Sequence, residues 1–240
     1  MFKAQQFAAR LAERKDRWSL LTDFVAEWHT PLQEGGGCSP KELDAAERRL
    51  GLTLPLALRE WYQLAGKRED VTATCNFLAS PEELEIMEEN GLLVFYCENQ
   101  QVVEWGVQEA DLALADPPVW LDNSGLHSTR QEPVRENDTL SEFALQMVVL
   151  ETMFEQKAFQ ASGKVAPQML KRVDQNFLHL GFPDWHWPDY PTRFYGGDDV
   201  LLQAFGEEDV SLQVTARSLA AFEKAKAALE ITWEHFLFSR

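Results

Sequence analysis

Residues 39–66 read Ser39-Pro-Lys-Glu-Leu-Asp-Ala-Ala-Glu-Arg-Arg-Leu-Gly-Leu-Thr-Leu-Pro-Leu-Ala-Leu-Arg-Glu-Trp-Tyr-Gln-Leu-Ala-Gly66. The punctuation of this stretch predicts two short helices. Ser39 is a helix N-cap, Pro40 occupies the first helical position, and Glu42 three residues on completes a capping box. Leu43, Ala46 and Leu50 recur at helical spacing, and Gly51 supplies a left-handed stop. Pro55 opens the second helix. Leu54, Leu58, Trp61, Tyr62 and Ala65 line one face of it, and Gly66 ends it. The physical reading is an αα-hairpin with both apolar faces buried.

Upstream, residues 1–34 form an expected helical extension, with Phe7, Leu11, Trp18, Leu21, Phe24, Val25 and Trp28 on one stripe and Pro31 as its end. Glu34-Gly-Gly-Gly-Cys38 reads as a flexible joint. Downstream, Val71 to Phe77 is a possible strand. Ser80-Pro-Glu-Glu repeats the capping-box pattern and predicts a helix to Asn90-Gly91, whose first turns would place Glu82, Glu83 and Glu85 at the positive end of the helix dipole. Leu92-Leu-Val-Phe-Tyr-Cys97 predicts a central strand, and Val103, Trp105 and Val107 alternate as its hairpin partner across the polar turn Glu98-Asn-Gln-Gln101. Asp116-Pro-Pro-Val-Trp-Leu-Asp122 predicts an edge strand, because proline cannot donate to a ladder. A polar loop over 123–138 follows. Thr139 and Glu142 then suggest a third capping box, before a helical stripe of Phe143, Met147, Leu150 and Phe154 that runs to about Ala158.

Several of these residues, in this order, resemble the SUKH superfamily. Within the hairpin they are Glu47, Leu50-Gly51, Leu54-Pro55, Leu58, Trp61-Tyr62 and Gly66. Glu98-Asn99-Gln100, Trp105-Gly106-Val107, Asp116 to Val119 and the helix Leu140 to Phe154 extend the resemblance over roughly residues 20–157. The resemblance implies a twisted sheet wrapped by helices. It also implies a binding role: bacterial members of that superfamily are often immunity proteins against secreted toxins, and fungal members regulate cell-wall synthesis. It carries no contact residues over, because such proteins meet different toxins.

From 160 onward the resemblance weakens. Thr192 to Tyr195, Val200 to Phe205 and Val210 to Thr215 read as strands joined by Gly196-Gly-Asp-Asp199 and Gly206-Glu-Glu-Asp209. Ser218 caps an alanine-rich helix to Leu229, and 231–238 could be strand or helix. The expected fold class is therefore α+β, a mixed or antiparallel central sheet flanked by helices. Its expected parts are a helical extension (1–34), a SUKH-like domain (35–158) and a β-rich addition (159–240) that either completes the same sheet or forms its own lobe.

Composition bounds the function. The chain is 45% hydrophobic, with eight tryptophans and fifteen phenylalanines, enough for a real core. No run of 18 apolar residues is present, so no transmembrane helix is expected, and the N-terminus carries no signal-peptide pattern. Three widely spaced cysteines, Cys38, Cys75 and Cys97, suggest reduced thiols in the cytoplasm. The formal net charge is −17. Residues 1–80 carry 11 basic and 11 acidic side chains, residues 81–160 carry 3 and 17, and residues 161–240 carry 8 and 11. A field of that sign repels phosphate, which disfavours nucleic acid as a partner, and it attracts a basic protein.

A search for chemistry gives little. Gly35-Gly-Gly37 lacks the lysine of a phosphate loop. The five histidines never pair at helical spacing. Asp184, His186 and Asp189 are the nearest thing to a metal cluster, but they sit among tryptophans and prolines. Arg48, Arg49, Arg59, Lys67 and Arg68 could suit a DNA-binding hairpin, yet the acids among them nearly balance the charge. The expectation is a non-enzymatic cytoplasmic binding protein without cofactor, metal, membrane or nucleic-acid partner. In that reading it neutralises a basic, possibly nuclease, toxin. The alternative is a regulator or scaffold with an endogenous partner. The expected partner-binding residues are Glu98, Asn99, Trp105, Asp111, Asp116, Trp120 and Asp122, in the acidic third, with carboxylates ringing an exposed tryptophan.

Overall fold

The computed structural model describes residues 7–126, 131–155 and 158–237. Its first three helices are α1 (Arg14–Trp28), α2 (Pro40–Leu50) and α3 (Leu56–Ala65). The capping box of α2 is complete: the Ser39 hydroxyl accepts from the Glu42 N–H, and the Glu42 carboxylate accepts the Ser39 N–H at 2.7 Å. Gly51 takes the left-handed conformation that stops α2, at φ 71°. Glu47 closes the turn between the helices by accepting the Leu54 N–H at 2.8 Å and pairing with Arg59 at 2.7 Å. Leu58, Trp61, Tyr62 and Ala65 are buried.

The chain is α+β, and it divides into two compact units, Arg17–Glu151 and a second made of Thr152–Arg240 with Met1–Asp16. In the first unit a short α4 (Glu69–Thr72) precedes β1 (Phe77–Leu78), β2 (Glu85–Met87), β3 (Leu92–Cys97), β4 (Glu104–Gln108), β5 (Val119–Asp122), β6 (Val134–Asn137) and α5 (Leu140–Met153). The sheet is antiparallel in the order β1-β3-β4-β5-β6, and β2 also pairs with β3. The β3–β4 register shifts between Val94 and Tyr96. Trp61 stacks on Tyr96 at 5.7 Å, while Phe143 of α5 makes ring contacts with Phe95 at 5.7 Å, Tyr96 at 5.9 Å and Trp105 at 6.0 Å. This aromatic cluster joins α3, the sheet and α5.

Several local expectations are corrected. The stripe from Phe7 to Trp28 is not one helix: α1 begins at Arg14, and Phe7 packs edge-on against Phe182 in the second unit. The triglycine is no loose joint. Gly36 O accepts the Lys67 N–H, Cys38 N–H bonds Tyr62 O, and a Cβ on Gly37 would meet Gln63 O at 1.7 Å. Residues 69–72 are helical, so the strand starts only at Phe77. The helix expected after Ser80 does not form. Ser80 N–H does reach the Glu83 carboxylate at 2.9 Å, but the turn lasts one cycle and the chain then pairs as β2 along β3. Strand β5 is interior, since β6, inside the expected polar loop, takes the edge. α5 ends at Met153 and is buried on nearly every side rather than along one stripe.

The second unit holds β7 (Phe159–Val165), α6 (Leu170–Asn176), β8 (Leu178–His179), β9 (Thr192–Gly197), β10 (Val200–Phe205), β11 (Val210–Ala216), α7 (Leu219–Leu229) and β12 (His235–Leu237). Its sheet is separate and antiparallel, in the order β12-β7-β11-β10-β9-β8. Val200, Leu202, Val214 and Ala216 on one sheet face pack with Phe222, Ala225 and Leu229 of α7. Ser218 caps α7 through the Ala221 N–H. The free carbonyl of Met153, at the end of α5, is satisfied by Gln160 Nε2 and Thr215 Oγ1, each at 2.9 Å.

Candidate protein-interaction surface

The seven residues expected to bind a partner do not form one surface. Trp105 is a correction: it is fully buried in the aromatic cluster, because alternation on β4 points it with Val103 and Val107 into the core. Glu98 is buried and turns its carboxylate back onto the Gln100 N–H at 2.8 Å. Asp116 is tied up at the start of α5, where it accepts the Ser141 N–H at 2.9 Å and the Ser141 hydroxyl at 2.6 Å. Arg17 completes that cluster, donating to Asp116 at 3.3 Å, Thr139 Oγ1 at 2.9 Å and Ser141 Oγ at 2.8 Å. Asp122 is buried and accepts the Ser124 N–H at 2.8 Å. Asn99 is exposed with its amide 3.7 Å from Cys75 Sγ, and Asp111 lies half-buried in a single 3₁₀ turn. Trp120 is half-buried opposite Gly106, with its ring N–H enclosed and without an acceptor among the described residues. Glu98, Asp116 and Asp122 therefore hold turns and a helix start, and the ring of carboxylates around an exposed tryptophan is not built.

The structure instead gathers acid on the stretch from Pro81 to Gly91. Glu82, Glu83, Glu85, Glu88 and Glu89 are all exposed there. The cation reaching this stretch, Arg49, spends its guanidinium on backbone, donating to Pro81 O at 3.0 Å and Leu84 O at 2.7 Å. That fixes the stretch against α2 without an ion pair from Arg49 to any of the five carboxylates. At its far end the Glu109 N–H bonds Gly91 O at 2.9 Å, bringing a sixth exposed carboxylate beside the turn. The Ser80 backbone and hydroxyl hold the Glu83 carboxyl below its usual range. Burial first, and then Glu104, Glu85 and Glu83, push the Cys97 thiol up to about 12.

Burial and then Glu151 and Glu98 raise the Cys75 thiol to about 11, and burial raises Cys38, so these thiols stay protonated and weakly nucleophilic. In the aromatic loop, Asp184 pairs with Arg193 at 3.2 Å and His186 stacks on Tyr190 at 5.0 Å. Among the described residues no three His, Cys, Asp or Glu side chains converge to hold a metal ion. A 420 Å³ cavity in the second unit places Asp174, Asp198 and Lys224 above Val200 and Ala225, and none of its described lining residues is a serine, cysteine or histidine.

Three of the basic residues of the αα-hairpin are paired with acids within the chain. Arg59 pairs with Asp44 at 2.9 Å, Lys67 with Glu42 at 2.7 Å and Arg68 with Asp70 at 2.7 Å. Among the described residues no helix is long and apolar enough to cross a membrane. No family model matches the chain, and neither the curated proteins nor the solved structures gave a match.

Proposed function

We propose that the chain is a non-enzymatic binding protein of the SUKH immunity type, acting in the cytoplasm on a basic toxin. The observation that carries this reading is the exposed acidic stretch from Pro81 to Gly91, whose five carboxylates make no ion pair with Arg49, the arginine that bonds its backbone. Such a field accelerates encounter with a positively charged cleft and penalises phosphate-bearing partners. The resemblance of residues 39–66 supports the same reading. So does the pairing of Arg59, Lys67 and Arg68 within the chain, which offsets three of the cations the αα-hairpin could offer to phosphate.

The test is affinity capture from the source organism with the full chain and with a Glu85→Lys, Glu88→Lys, Glu89→Lys variant. Bound proteins are washed at low and moderate salt and identified by mass spectrometry. The expected result is one dominant basic protein that survives moderate salt on the native chain and is lost from the variant. Several partners retained equally by both proteins would favour a scaffold and reject the acidic-surface reading.

A further inference from the structure

We propose that the groove between residues 52–56 and 112–115 receives an apolar side chain of the basic partner, while a neighbouring lysine or arginine of that partner reaches Glu109 and the tip of the acidic stretch. The proposal rests on the acidic-surface reading and gives that surface its anchor.

Single exposed leucines are ordinary on a protein surface. Leu56 and Leu114 are different because they face the same cavity, of about 660 Å³, while remaining 45% and 49% exposed. Leu52, Pro55, Leu112 and Ala113 complete an apolar lining. The walls are held from behind. The Ala57 N–H bonds Ala115 O at 2.8 Å across the groove, and Glu47 fixes the Leu54 N–H at 2.8 Å. A site whose walls are set before binding loses little entropy when filled, and well-packed apolar pockets of this kind are where interface anchors concentrate.

Charge selects the occupant. The groove has two charged lining residues, Arg59 and Glu109. Arg59 is already neutralised by Asp44 at 2.9 Å and Glu47 at 2.7 Å. Glu109 makes the 2.9 Å backbone bond to Gly91 and so stands beside the turn that carries Glu88 and Glu89. The apolar groove therefore opens onto negative charge, which suits a segment with an apolar face and basic neighbours and opposes an acidic one.

The probe is a synthetic helical peptide with leucines along one face and lysines elsewhere, titrated into the ¹⁵N-labelled full chain. Two control peptides replace leucine by serine or lysine by glutamate. The expected result is amide shifts at residues 52–56 and 112–115 with the leucine–lysine peptide, with affinity about tenfold weaker for Leu56→Ser or Leu114→Ser, and no binding of the glutamate peptide. Glu109→Lys should weaken binding without touching the apolar wall. Because both leucines are half-exposed, amide spectra outside the groove should stay unchanged and confirm folding. If the leucine and serine peptides bind alike and the leucine variants have no effect, the groove is overturned while the acidic surface stands. If no lysine peptide binds, both ideas fall. If sedimentation shows a dimer that Leu114→Ser dissociates, a second copy of the chain is the occupant and the proposal is wrong.

Discussion

Glu151 is a carboxyl group with no access to water, held in the first unit by the N–H groups of Cys75 at 2.5 Å and Asn76 at 3.1 Å and by the Asn76 amide at 3.0 Å. Burial raises it to about 7, and those donors pull the other way without cancelling the effect. Beside it, Asn76 Oδ1 is buried without a partner among the described residues. The sign follows from linkage. Between about pH 4.3, the free glutamate value, and pH 7 the folded chain keeps a proton that the unfolded chain releases. This group's stabilising contribution is thus complete below the free value and lost as pH rises through about 7, on the order of 4 kcal/mol at most. Urea unfolding midpoints should fall between pH 5 and 7.5 for the native chain, and Glu151→Gln should flatten that fall. Equal slopes in the two proteins would assign the effect to another group. Gly106 is a second residue whose identity is dictated by space, since a Cβ there would meet Leu93 O at 2.5 Å and Leu92 Cγ at 2.6 Å. Gly106→Ala should destabilise the first unit by about 2 kcal/mol or more through displaced β3–β4 pairing, readable in the same urea titration.

Elements whose signals are local were legible in the sequence. The α2 capping box, the Gly51 stop and the Ser218 cap all form as their residues demand, because each joins atoms within a few residues. Ser39→Ala should cost about 1 kcal/mol. It removes the hydroxyl that caps the helix and one of the bonds that, after Lys67, hold the Glu42 carboxyl down at about 2. A urea midpoint unchanged by this substitution would mean that tertiary packing alone fixes α2. Elements decided by distant partners were not legible. Residues 80–90 carry a valid helix start, and the start survives as a single turn. The helix loses because β3 offers Glu85–Met87 a strand edge to pair with, a gain invisible in a local window. α5 misled for a related reason: its apolar residues cover almost its whole circumference, and periodicity cannot show what will bury the second side. The candidate site failed in sequence for the same cause. Carboxylates at Glu98, Asp116 and Asp122 look alike as letters, and only the fold shows that they cap turns and a helix. Leu56 and Leu114 read as ordinary apolar positions until α3 and the turn after β4 are brought together.

Across the whole molecule, the placement of charge matters more than its sum. The chain carries −17, yet residues 81–160 hold 17 acids against 3 bases. A basic partner at the acidic stretch feels the carboxylates within about one Debye length, roughly 8 Å at physiological salt, far more than those further off. Two double variants separate position from total. Glu88→Lys with Glu89→Lys alters the hairpin turn, whereas Glu207→Lys with Glu208→Lys alters the exposed loop between β10 and β11 in the second unit. Each pair changes the net charge by the same amount. If the acidic stretch steers association, the on-rate of the leucine–lysine peptide at low salt should fall several-fold for the first pair and stay near the native value for the second. The native on-rate should also drop steeply with added salt, and the first pair should lose most of that dependence. The off-rate should change less in either, because steering acts on encounter and the anchored leucines govern residence. Stopped-flow traces of the native chain and both variants at two ionic strengths read these rates. Equal losses from the two pairs would mean that net charge alone attracts the peptide, and the acidic stretch would then have no special place in recognition.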